Sequence, residues 1–120
     1  MSERVTWVPH AGKQLVQIDF TGCTPGTFAP IIAGAQRVIT GAPQGTVLAL
    51  TLLTEVRFDT STVLEMERFV KVVQPHLKAN ALVGITGMKK VVFNGVKPLY
   101  RVPFELFDAA PAAKAWLVAR

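Results

Sequence analysis

Residues 46–86 read TVLALTLLTEVRFDTSTVLEMERFVKVVQPHLKANALVGIT. Thr46 to Leu53 is nearly all apolar, the pattern of a strand buried on both faces. The stretch that follows, from Phe58 to Leu77, carries Leu64, Phe69, Val72, Val73 and Leu77 at spacings that let them face a core from one helix. Thr62 and Glu65 have capping-box spacing near its start. Ala79 to Thr86 is again apolar and strand-like. A strand, a helix and a second strand at this spacing imply parallel pairing with a right-handed crossover.

Outward from that unit, Arg4–Val8 and Gln14–Phe20 alternate apolar and polar residues, with Val16, Ile18 and Phe20 on one face. Pro9, His10, Ala11 and Gly12 between them predict a hairpin turn. Phe28, Ile31, Ile32, Ala35, Val38 and Ile39 recur at helical spacing. Pro30 fits only a first turn, and Gly41 with Pro43 marks the end. Gly87 to about Lys97 predicts another helix, ended by Pro98. Glu105–Phe107 predicts a short strand, and Asp108 is placed to cap a last helix with Pro111 in its first turn and Trp116 and Leu117 turned inward. The expected order is ββαβαβαβα: an α/β single layer-type domain with a mixed, mostly parallel sheet of about five strands and about four helices.

The 120 residues suit one domain, residues 1–120, and half of them are hydrophobic. The single cysteine, Cys23, allows no internal disulfide. The start, MSERVTWVPHAGK, has no apolar signal segment, and the apolar run Val47–Leu53 is too short to span a bilayer. A cytoplasmic chain with no transmembrane segment is expected. Net charge is +5, unevenly spread. Between residues 68 and 104 stand Arg68, Lys71, Lys78, Lys89, Lys90, Lys97 and Arg101 with no Asp or Glu, leaving six basic and eight acidic residues elsewhere. Such a block attracts anionic partners or serves as a solvated surface. Interleaved aromatics and nucleic-acid module motifs are missing, so no nucleic-acid partner is expected.

Four stretches, HAGKQLVQIDFTG, FDTSTVLEMERF, HLKANALVGITGMKKVVFNGV and FELFDAAPAAKAWL, resemble the short bacterial STAS-like proteins with the SpoIIAA-like fold. The resemblance covers nearly the full chain, and Lys78–Lys90 is its most specific part. It implies the SpoIIAA-like fold, shared with anti-sigma-factor antagonists, which are protein-binding switches. That fold is also compared with CRAL-TRIO lipid-transfer domains, which hold apolar ligands.

Within VGITGMKKVVFNG, residues 83–95, a strand runs through Gly84, Thr86 and Gly87 into a helix start. Free N–H groups there form an anion site in principle, with Lys78, Lys89 and Lys90 as cations. The spacing fits neither a Walker loop nor GxGxxG, and the alternative is a packing joint capped by Thr86. Met88, Val91, Val92 and Gly95 form a core stripe on that helix, Lys90, Asn94 and Lys97 a solvated one. Phe93 and Val96 fall on a third face, which one core-facing stripe cannot bury. With Tyr100 they form the candidate contact face. Thr60 and Ser61 are candidate phosphorylation sites where, by the resemblance, antagonists carry a regulatory serine. This chain departs from that pattern, with Thr60 in place of the serine and Thr62 in place of a glycine, and N-capping explains the cluster well. His10, His76 and Cys23 form no catalytic or metal pattern, and no cofactor is expected. The leading expectation is a non-enzymatic interaction or regulatory domain of STAS-like type that forms a homo-oligomer or binds a protein partner. The alternative is a carrier or sensor for a small amphipathic anion, its head at Thr86, Gly87 and Lys90 and its tail against Phe93 and Val96.

Overall fold

The computed structural model describes residues 4–87, 90, 91, 94 and 101–120. Five strands, β1 (Val5–His10), β2 (Lys13–Asp19), β3 (Val47–Leu52), β4 (Leu77–Val83) and β5 (Phe104–Phe107), form one sheet in the order β1-β2-β3-β4-β5. β1 and β2 are antiparallel; every other pairing is parallel. The described α-helices are α1 (Phe28–Thr40), α2 (Thr60–Val73) and α3 (Ala110–Val118), one fewer than expected. The expected helix at 87–97 lies largely outside the described residues, of which 90, 91 and 94 are helical.

Strand alternation sorts the core into two faces. Val16, Ile18, Val47, Ala49, Leu82 and Phe104 point to the side that α1 and α2 cover with Phe28, Ile31, Ile32, Ala35, Ile39, Phe69 and Val73. Leu15, Leu48, Leu50, Ala79, Ala81 and Val83 point to the opposite side, against Ala113 and Leu117 of α3. β3 is buried at five of its six positions, as its apolar run requires. Each fully buried Leu, Val or Phe of this set contributes about 1.5–3 kcal/mol relative to exposure. One polar pair crosses the sheet: the buried Thr51 hydroxyl donates to Asn80 Oδ1 at 3.0 Å.

Local details depart from the expectations at four places. The hairpin turn is only Ala11 and Gly12, both left-handed (φ 49° and 83°), the geometry of a two-residue turn; Pro9 and His10 belong to β1. β1 is an edge strand, where Pro9 is tolerated. On α2, Leu64 and Val72 do not face the core: they are 47 % and 45 % exposed, because Thr62, Phe69 and Val73 define the buried stripe. The α2 cap is Asp59 rather than a Thr62–Glu65 box, since the Asp59 carboxylate reaches the Thr62 N–H at 2.8 Å. Ala109, not Asp108, precedes α3, and Asp108 instead pairs with Lys90 at 3.6 Å.

Candidate functional site

The C-terminal ends of β2 to β5 share one edge of the sheet, the position where open α/β sheets form crevices. Backbone bonds knit this edge together. Gly22 N–H donates to Thr54 O at 3.0 Å, Leu53 N–H to Val83 O at 2.8 Å, and Gly84 N–H to Phe107 O at 3.0 Å. Gly84 is left-handed (φ +91°), and a Cβ there would meet Thr54 Cα and N at 3.0 Å and collide with its hydroxyl. Its N–H is spent on the sheet and its missing side chain on a close backbone approach, which is the chemistry of a packing joint. Gly87 is also left-handed (φ +65°) but faces open space, and its carbonyl accepts Lys90 N–H at 3.1 Å. Thr86 is exposed and its hydroxyl makes no hydrogen bond among the described residues.

The candidate cations part company. Lys90 is half-buried and held toward Asp108. Lys78 stands at the start of β4, the opposite edge of the sheet, and is exposed. Lys89, Phe93, Val96 and Tyr100 lie outside the described residues. Val91 is 65 % exposed, so it does not belong to the core stripe assigned to it from periodicity.

Between the ends of β3 and β4 lies a hollow of about 120 Å³, lined by Leu53, Glu55, Val56, Phe58, Gly84, Ile85 and Thr86. Phe58 continues an aromatic stack with Phe28 and Phe20, at centroid distances of 5.4 and 5.1 Å. Glu55 on its wall is left-handed (φ 56°) and makes no hydrogen bond or ion pair among the described residues. A lone carboxylate there repels an anionic head group. Glu55 had no signal in the sequence, because nothing in a Thr-Glu-Val triplet announces a left-handed turn.

Asp59 opens α2 on the same edge. One of its oxygens accepts from Thr62 N–H at 2.8 Å, the Thr62 hydroxyl at 2.8 Å and the Ser61 hydroxyl at 2.9 Å. These donors, the Thr62 N–H foremost, hold its pKa below the usual carboxylate value. Ser61 and Thr60 are both exposed. A phosphate on Ser61 would lose that hydroxyl donor and sit beside the Asp59 charge.

The remaining polar candidates have structural partners. The Nδ1–H of His76 donates to Ala42 O at 2.8 Å. Cys23 is buried, with Arg4 reaching its Sγ at 3.7 Å. Asp19 accepts Thr21 N–H at 2.9 Å. Among the described residues no group of three or more His, Cys, Asp or Glu is placed to hold a metal ion, and no helix is long and apolar enough to cross a membrane.

The chain's fold is found among solved structures. An uncharacterised protein of the DUF3478 family from Shewanella loihica PV-4, described as having a SpoIIAA-like fold, aligns with a TM-score of 0.79 over 94 % of this chain and 91 % of that one, at 13 % sequence identity. The fold is therefore SpoIIAA-like, with the mixed, mostly parallel five-stranded sheet expected from the sequence. No family model matches the sequence, and no curated protein matches it.

Proposed function

We propose that this chain is a non-enzymatic interaction or regulatory domain of STAS-like type that self-associates through apolar side chains on its helical layer. The observation that carries the reading is the outward position of Val91, 65 % exposed on the helical residues that precede Phe93 and Val96. Leu64 and Val63 on α2, 47 % and 45 % exposed, present further apolar surface beside the Asp59 cap. Large aliphatic groups left in water gain free energy when a second surface covers them. An exposed Ser61 at the same helix start offers a position at which charge could tune such a contact. The carrier reading places a ligand tail against Phe93 and Val96, which lie outside the described residues, and the described hollow beside Thr86 has Glu55 in its lining.

Size-exclusion chromatography with light scattering, over a range of concentrations, tests the reading. The wild-type chain is expected to exceed the monomer mass at high concentration, and Val91→Glu combined with Leu64→Ser to return it to the monomer with an unchanged circular dichroism spectrum. A wild-type monomer at every concentration, or a variant that associates like the wild type, overturns it. Native mass spectrometry of the freshly purified protein tests the carrier, which requires a co-purified lipid mass.

A further inference from the structure

We infer that the edge of the sheet opposite the hollow is a docking face for an anionic phospholipid surface. The sequence concentrates its excess cations between residues 68 and 104; the topology brings three of them to one end and adds Arg37. Helices α1 and α2 each leave the C-terminal edge and return to the N-terminal edge, so the last turn of each helix meets the starts of the parallel strands. Arg37 lies in the last turn of α1, Lys71 in the last turn of α2, Lys78 is the second residue of β4, and Arg101 precedes β5. Hydrogen bonds fix these connections side by side: Gly45 N–H to Pro75 O at 3.0 Å, Thr46 N–H to His76 O at 3.1 Å, and Asn80 N–H to Pro103 O at 3.0 Å. Lys13, at the start of β2, and Arg120, whose carbonyl it reaches at 3.1 Å, extend the same edge.

Arg37, Lys71, Lys78 and Arg101 are exposed, and among the described residues none has an ion-pair or hydrogen-bond partner. No described Asp or Glu side chain stands at this edge. Asp19, Glu55, Asp59 and Asp108 follow the strand ends on the other one; Glu65 and Glu67 sit on the middle turns of α2, and Glu105 lies opposite Ala81 within the sheet. The end is thus cationic and unneutralised, while the rest of the surface mixes its charges.

Two features favour a lipid surface over other polyanions. Apolar groups stand among the cations: Val72 is 45 % exposed beside Lys71, and Pro43 and Pro75 are exposed on the two joined loops. Cations with short apolar contacts suit the headgroup region of a bilayer. The cations also lie on short connections across one broad end, where among the described residues no element projects to enter a nucleic-acid groove and no exposed aromatic ring stands to stack on bases.

Co-sedimentation with vesicles tests the inference. The full chain is expected to bind vesicles of phosphatidylglycerol and phosphatidylcholine in equal parts, to ignore pure phosphatidylcholine, and to release as sodium chloride rises. Each cation removed weakens partition roughly fivefold, so Lys71→Glu with Lys78→Glu and Arg101→Glu should lose about a hundredfold or more. Arg37→Gln is the milder check should the triple variant fold poorly, with about a fivefold loss. Leu64→Ser, which addresses self-association only, should bind vesicles as wild type does. Equal binding to neutral vesicles, no binding to anionic ones, undiminished binding by the charge variants, or displacement by duplex DNA at lower concentration than by free anionic vesicles each overturns the proposal.

Discussion

At the C-terminal edge of the sheet, the ends of four strands are fastened by backbone bonds, a glycine admits a neighbouring backbone, and Lys90 is held toward Asp108. At the N-terminal edge the loops are also bonded to one another, but Arg37, Lys71, Lys78 and Arg101 carry charge into water that no described residue pairs. Packing rules the first edge, so change there should cost stability. Charge rules the second, so change there should alter association and leave folding intact. A glycine-rich strand-to-helix junction draws attention as a ligand site, yet its glycine N–H and its missing Cβ are both used by the fold itself.

Substitutions at the two edges sharpen this contrast. The largest loss is expected for Gly84→Ala, which combines a left-handed backbone with a collision against Thr54. About 2–3 kcal/mol should be lost in urea unfolding, and a loss below about 0.5 kcal/mol would remove the joint. Thr51→Val, between the edges, takes the hydroxyl donor from Asn80 Oδ1 and should cost about 1 kcal/mol. Glu55→Gly relieves a left-handed backbone at a non-glycine residue and should stabilise by up to about 1 kcal/mol, partly offset by the freer unfolded chain.

The Asp59 cap gives a pH signature. Its pKa is lowered in the folded chain, so its contribution is complete above the unfolded carboxylate value and is lost as pH falls through the folded one. Asp59→Ala should therefore unfold at lower urea than wild type at neutral pH, and the gap should close in acid. A gap that persists at low pH would mean that the carboxylate does not act as the cap. Smallest of all, Lys78→Glu with Arg101→Glu should change stability by less than about 0.5 kcal/mol. A larger loss would show that these side chains carry structure at the N-terminal edge after all.

Much of the architecture is legible in particular residues. The unbroken apolar run Val47–Leu52 signals a strand covered on both sides, and the parallel β3–α2–β4 unit follows from its neighbours. Phe28, Ile31, Ile32, Ala35 and Ile39 identify the buried stripe of α1 directly. Periodicity misjudges α2, because Leu64 and Val72 lie beside a narrow core stripe and only the neighbouring elements decide how wide the covered face is. Val91 misleads for the same reason. Lys78 and Lys90 are close in sequence but belong to opposite edges, since a strand's length separates them.

The sequence by itself determined the order of the five strands, helices α1, α2 and α3 between and after them, and the parallel β3–α2–β4 crossover, because those depend on local period and on turn-forming residues. Only the tertiary structure decided that Gly84 is a joint, that Glu55 turns toward a small hollow, and that cations from α1, α2, β4 and the lead into β5 share one end. The reason is geometric. Helices that run back across parallel strands bring residues distant in the chain to the same edge, and one-dimensional spacing does not encode which of them meet.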